Sequence, residues 1–517
     1  MTHQTTLFAA LGLVTALGAC AGSDASYTRW RGEASRGRLV RAEEIRASEL
    51  IGYHAAEDAP RPPGPLPAGA GGLYLSAELG AARLPAGSAA HPLLQISLRG
   101  GRGVARQAAS IVLVIDTSGS MQEDEKMGAV RHAVARFVEQ LHDEDHVALV
   151  AFDERARVLL TPMRIGDVRG RAMALIGALR PGGGTNLLDG LARGVELARS
   201  RQLSRGVDRV VLLTDGMPTV GERSSEAFDA VVRDAVAGGV HVTTIGVGRE
   251  IDDALLTRVA RISGGAYHYV DRADEVERVF SRELRALAEL AARDVELRIE
   301  LPAGWSLVQA YDEQTSVDGQ SIITRIGDLG GDEAAVRLYE LAAPGVQPGA
   351  AEDLHVRAQL RAPEGAPGAA EQLITAAQRI VVTRDGAVPY DPAPGGAVLR
   401  NSVLGRIAVA LRDADLRGRD GDAGGALVAL DAVTSVARDA RVRLLAEGDA
   451  RRAGSLDEPL ALLVRTRALV ASGAGHTEAP RAGPAEPAAA AVGQAPVEAS
   501  SATYAGWDAR GTHVGDD

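Results

Sequence analysis

The sequence predicts an α/β protein built on a doubly wound, mainly parallel sheet, with an accessory β-sandwich and a C-terminal helical region. Three observations point there. Between residues 107 and 292, short apolar runs alternate with stretches whose apolar residues recur at three- and four-residue steps, as strands joined by helices require. Two of those runs end in an aspartate, Asp116 and Asp215. Further along, 295–301, 335–341 and 354–360 alternate apolar and polar residues, so each is expected to bury one face, as sandwich strands do.

A chain of 517 residues has room for two to four domains. Only 3% of it is aromatic, so Val, Leu, Ile and Ala must fill the cores. The formal charge of −12 argues against a nucleic-acid partner, which demands a basic face. Lys126 is the only lysine and follows Glu125 rather than a glycine, which excludes nucleotide hydrolysis through a phosphate-binding loop of the Gly-x4-Gly-Lys-Ser/Thr type, and no nucleotide partner is expected. With Cys20 as the only cysteine, no intramolecular disulfide can form.

Residues 7–19 are apolar and small, long enough for a signal-peptide core and too short to span a bilayer. Leu17, Gly18, Ala19 and Cys20 resemble the lipobox of bacterial lipoproteins. That implies a signal peptide over 1–19, cleavage before Cys20, and lipid on its thiol and new amino terminus. Ala21, where an inner-membrane lipoprotein would carry aspartate, favours the outer membrane of a bacterial cell envelope. Residues 20–38 read as a polar tether. An N-terminal extension over 39–106 follows, with helical spacing at 39–53, a Pro/Gly break at 60–72, and strands at 73–79 and 92–98 that can join the sandwich.

Within 107–292, strands are expected at 110–116, 146–152, 156–160, 208–214, 241–246 and 266–270. The short turn 153–155 makes the third an antiparallel edge strand. Helices are expected at 126–141, 169–179, 187–200, 224–238, 252–263 and 273–292. The sandwich occupies 293–390, and matching strand character on both flanks predicts that the 107–292 domain is inserted into it. Residues 397–471 read as helical, and the Ala/Pro/Gly-rich tail 472–517 as disordered. Asp413, Asp415, Asp420 and Asp422 do not make an EF-hand, because Arg417 takes the third ligand position and Gly424 the twelfth.

Asp116, Ser118 and Ser120 place a carboxylate and two hydroxyls at i, i+2 and i+4 beyond a buried strand, a set suited to a small hard cation. Further oxygens can come from the Gly-rich stretch 182–186 and from the loop after 210–214, because parallel strands present their carboxyl ends on one edge. These three motifs, in this order, resemble the von Willebrand factor type A (VWA) family with its Rossmann-like fold. Its metal-ion-dependent adhesion site, matched residue by residue, implies Asp116, Ser118, Ser120, Thr185 and Asp215 as ligands of Mg²⁺, with Ca²⁺ or Mn²⁺ as alternatives. The N-terminal phrase around 40–45 and the helical 397–471 are similar to a subfamily of bacterial VWA lipoproteins. The resemblance implies a protein partner whose exposed Asp or Glu completes the coordination, with membrane attachment through the lipid anchor.

Two other readings compete. A metal-dependent phosphoryl hydrolase could use Asp116 as nucleophile, but such enzymes are expected to carry a second carboxylate where Ser118 stands and an essential lysine that Lys126 is poorly placed to be. A non-catalytic envelope scaffold would use the metal for stability alone. No Gly-x-Ser-x-Gly elbow or cysteine pair supports other chemistry, and His132 and His142 fall on different helix faces.

Overall fold

The computed structural model describes residues 25–55, 59–61, 73–80, 83–86, 89–101, 108–200, 207–248, 251–270, 275–277, 279–280, 290–312, 314–361, 373–385 and 396–473. Cys20, the signal segment and nearly all of the tail lie outside them. Among the described residues no helix is long and apolar enough to cross a membrane.

A six-stranded sheet carries the central domain, from β4 (Ala109–Asp116), β5 (His146–Phe152), β6 (Ala156–Arg164), β7 (Val207–Thr214), β8 (His241–Val247) and β9 (Tyr267–Val270). Its order is β6-β5-β4-β7-β8-β9, parallel except for the edge strand β6, which runs antiparallel to β5. Helices cover both faces, which is why β4 and β5 are buried throughout and apolar over most of their length. One face packs on α3 (Lys126–Gln140) and α4 (Ile165–Gly177), through residues such as Val130, Phe137 and Ile176. The other packs on α5 (Leu187–Ser200), α6 (Ser225–Ala237) and α7 (Asp253–Ser263), through Leu191, Phe228 and Leu256. Gly194 of α5 lies so close to β4 that a Cβ would stand 2.5 Å from Val114 Cγ2.

Two antiparallel sheets form the sandwich. The four-stranded sheet is ordered β1-β3-β14-β11, from β1 (Leu73–Leu79), β3 (Leu93–Gly100), β14 (Ala334–Ala342) and β11 (Ser306–Ala310). The six-stranded one is β12-β13-β10-β15-β16-β2, from β12 (Thr315–Asp318), β13 (Ser321–Gly330), β10 (Leu290–Glu300), β15 (Ala351–Arg361), β16 (Leu373–Asp385) and β2 (Arg83–Pro85). Among the described residues of the sandwich, β16 and β2 alone pair in parallel. Because β3, before the central domain, pairs with β14, after it, the α/β domain interrupts the sandwich in sequence.

The helical region is also built from both ends of the chain. Helices α1 (Ala25–Ser35) and α2 (Ala47–Ala55) share a core with α8 (Gly396–Arg419), α9 (Ala423–Ala446), α10 (Ala450–Gly454) and α11 (Asp457–Ser472). Tyr27 and Trp30, one helical turn apart, are buried there, and Trp30 Nε1 donates to Thr466 Oγ1 at 3.1 Å.

Four expectations need correction. Residues 25–35, read as tether, are a buried helix, because Tyr27 and Trp30 pack into a core and Arg29 is ion-paired with buried Asp253. The helical stretch at 39–53 is a single 3-10 turn (Ala42–Glu44) followed by α2. The segment read as helical to 292 is already strand from Leu290, paired antiparallel with β15 and β13. β14 buries both faces: Tyr339 and Leu341 meet the sandwich core, while Val336 and Leu338 meet the helices. Its polar Arg337 is accommodated by an ion pair with Asp312 at 2.5 Å.

Candidate metal centre

β4 is the first strand of the sheet and sits in its middle. The chain runs outward through β5 and β6, then returns to lay β7 on the other side of β4. The crevice between the carboxyl ends of β4 and β7 is therefore the switch point, where loops diverge and leave room for a ligand. Asp116 ends β4 and Thr214 ends β7, with Asp215 immediately after.

Asp116 is fully buried and both its oxygens are held. Ser118 N donates to Oδ1 at 2.7 Å and Thr214 Oγ1 donates to Oδ2 at 2.5 Å. Burial pushes its carboxyl up to about 6, against those hydrogen bonds; the neighbouring Asp215 charge adds to the rise. A positive charge placed here would relieve that cost. Ser118 Oγ lies 3.1 Å from Ser120 Oγ, and Ser120 Oγ donates to Asp215 Oδ1 at 2.8 Å. Both are hydrogen-bond contacts, and both are near the edge length, about 3 Å, of an octahedron with arms of about 2.1 Å, so this spacing is compatible with a shared magnesium ion.

Thr185 comes from the Gly-rich loop before α5. That loop is stitched to the first by Gly182 N to Thr117 O at 2.8 Å and Gly119 N to Gly183 O at 3.0 Å. It is stitched to the third by Thr185 N to Thr219 Oγ1 at 2.8 Å and Thr219 N to Thr185 O at 3.0 Å. A Cβ on Gly216 would stand 3.7 Å from Ser120 Oγ and 3.8 Å from Thr185 Oγ1, so the two hydroxyls face one small space beside Gly216. All five residues named from the motifs thus lie at one strand-end crevice. The donor set is two carboxylates and three hydroxyls; among the described residues no group of three or more His, Cys, Asp or Glu is gathered for a metal.

Sequence reasoning missed three participants. Thr117 anchors the first loop, its backbone N–H and hydroxyl donating to Phe152 O at 2.7 and 3.0 Å. Thr214 hydrogen-bonds Asp116; its position between an apolar run and Asp215 was the available signal. Lys126 is the third: its Nζ lies 2.8 Å from Asp215 Oδ2, so the lysine read as poorly placed reaches the site, though to the second aspartate and not to Asp116. The rejected calcium loop at 413–424 is instead an ion-pair cluster, Arg417 holding Asp413 and Asp422 while Asp422 caps α9.

Residues 109–269 match the family model described as von Willebrand factor type A domain. The chain is 29% identical over 246 residues to protein YfbK of Escherichia coli strain K12, covering 46% of this chain and 42% of that one. It is 32% identical over 171 residues to inter-alpha-trypsin inhibitor heavy chain H4 of Homo sapiens, covering 32% of this chain and 18% of that one. It thus spans less than half the length of either relative. A solved structure described as von Willebrand factor type A from Catenulispora acidiphila is similar with a TM-score of 0.54 at 18% identity, over 71% of this chain and 89% of that one. At that identity the likeness concerns the fold alone.

Proposed function

Starting from a chain that carries a von Willebrand factor type A domain at residues 109–269, we propose that it is a cell-envelope lipoprotein that binds a protein partner through a divalent ion. Asp116, Ser118, Ser120, Thr185 and Asp215 would hold that ion, magnesium in the first instance, and an acidic side chain of the partner would complete its coordination. The observation that carries this reading is the chain of oxygens Ser118 Oγ, Ser120 Oγ and Asp215 Oδ1, spaced at 3.1 and 2.8 Å along one rim. Such spacing needs three loops locked to one another, and the cross-loop hydrogen bonds supply the lock. When bound, the ion supplies an electrophilic position open to a carboxylate.

The hydrolase alternative requires an accessible aspartate nucleophile. Asp116 is fully buried with both oxygens engaged, and Lys126 pairs with Asp215. Both observations favour binding over catalysis.

Calorimetric titration with Mg²⁺ and Mn²⁺ tests the centre. Asp116→Ala and Thr185→Ala should each weaken metal binding at least about tenfold, the factor that corresponds to about 1.4 kcal/mol. Capture of envelope proteins should require metal and fail in chelator and with Asp116→Ala. Unchanged capture in excess chelator would refute the mechanism.

A further inference from the structure

Lys126 is the only lysine of the chain and the first residue of α3. Its side chain turns back over the 119–125 turn into the crevice. Nζ lies 2.8 Å from Asp215 Oδ2 and 3.5 Å from Ser120 O. The side chain is 12% exposed and that of Asp215 not at all, so the pair is shielded from bulk water. The slot is built for it: a Cβ on Gly248, where β8 ends, would stand 3.3 Å from Lys126 Cε and 3.6 Å from Nζ, and φ there is +86°, which disfavours any other residue.

Resting on the metal-site reading above, we propose that Lys126 is a resident counter-cation that makes the centre bind a divalent ion weakly until an external carboxylate arrives with it. Asp116 and Asp215 bring two negative charges, and Lys126 offsets one of them. A divalent ion then leaves the centre with one excess positive charge, which a single carboxylate neutralises. Without the lysine, ion and aspartates would balance by themselves, and an incoming acid would gain coordination but would have no net charge to neutralise. Like charges a few ångströms apart in a shielded site repel strongly, so the ammonium opposes metal entry and rewards the acid. Because coupling between two ligands is reciprocal, the same residue ties metal affinity to the partner's acid and the partner's affinity to metal.

The test titrates Mn²⁺ into the full chain by calorimetry, with and without acetate as the carboxylate probe, at ionic strength held constant with chloride. For the unmodified protein, acetate should tighten Mn²⁺ binding several-fold. Lys126→Met, which keeps the stem and removes the charge, should bind Mn²⁺ at least about tenfold tighter without acetate and lose most of the acetate effect. Lys126→Arg should stay weak and acetate-dependent. Equal or weaker Mn²⁺ binding by a folded Lys126→Met protein overturns the proposal and leaves the metal site standing. So does an unmodified protein whose affinity ignores acetate, whatever the fate of the variants. No Mn²⁺ binding by any form overturns both readings.

Discussion

Helix α1 is clamped to the central domain by a buried ionic network, and Asp253 is the residue to remove. Arg29 Nη2 lies 3.1 Å from Asp253 Oδ1 and Arg46 Nη1 lies 3.4 Å from Oδ2. Arg29 also meets Glu44 at 3.4 Å, and Arg46 meets Glu49 at 2.6 Å. Ser26 closes the circuit, its N–H and hydroxyl donating to Glu49 Oε2 at 2.8 and 2.6 Å. The Tyr267 hydroxyl hydrogen-bonds Asp253 Oδ1, and burial first, then Asp253, holds that phenol well above its ordinary range. The side chains of Arg29 and Asp253 are 3% and 6% exposed, so water cannot replace a lost partner.

Removing Asp253 still leaves Arg29 with Glu44 and Arg46 with Glu49, so the cost is that of losing buried hydrogen bonds to charged groups, about 1.5–3 kcal/mol, and not that of orphaning a buried charge. Asp253→Ala leaves the α7 cap intact, since Asp252 caps Leu255 N at 2.9 Å. The loss therefore falls on the opening of α1. At about 1.4 kcal/mol per tenfold, amide hydrogen exchange across Ala25–Ser35 should accelerate about ten- to a hundredfold, while β4 and β7 keep their protection. Arg29→Met should do nearly the same, and the double variant should cost less than the sum. Acceleration below about fivefold would show that the network does not hold the helix.

Gly194→Ala forces a Cβ to within 2.5 Å of Val114 Cγ2, so it should destabilise the central domain by about 1–3 kcal/mol, read as a lower melting temperature. The His54 imidazole is pushed down to about 3, by burial first and the Arg400 charge second. Since the unfolded chain takes up its proton near 6.5 and the folded chain does not, stability present above that pH should fall toward pH 3, by up to about 1.4 kcal/mol per unit. His54→Gln should flatten that limb in urea titrations, and parallel curves would contradict it. Cys20→Ala should abolish incorporation of labelled palmitate in a bacterial host and release the protein from the membrane fraction, whereas persistent labelling would remove the anchor.

The α/β core was legible because its strands are buried on both sides and its helices on one. Apolar runs such as 111–115 and facial repeats such as Leu187, Leu191 and Val195 therefore carry their own signature. The oxygen-bearing residues of the crevice were legible for a related reason. Asp116, Ser118 and Ser120 are neighbours in sequence, and Asp215 directly follows a strand that a parallel sheet brings to the same edge.

By itself, the sequence determined the α/β class, the order of the central strands and helices, and which five oxygen-bearing residues could share one crevice. Only the tertiary structure decided that Arg29, Asp253, Arg46 and Glu49 form one buried network, that residues 25–35 are a helix, and that Lys126 faces Asp215. The physical reason is range. Periodicity reports burial over a few residues, whereas a charged side chain declares itself buried only when a partner 224 positions away arrives to neutralise it, as Asp253 does for Arg29.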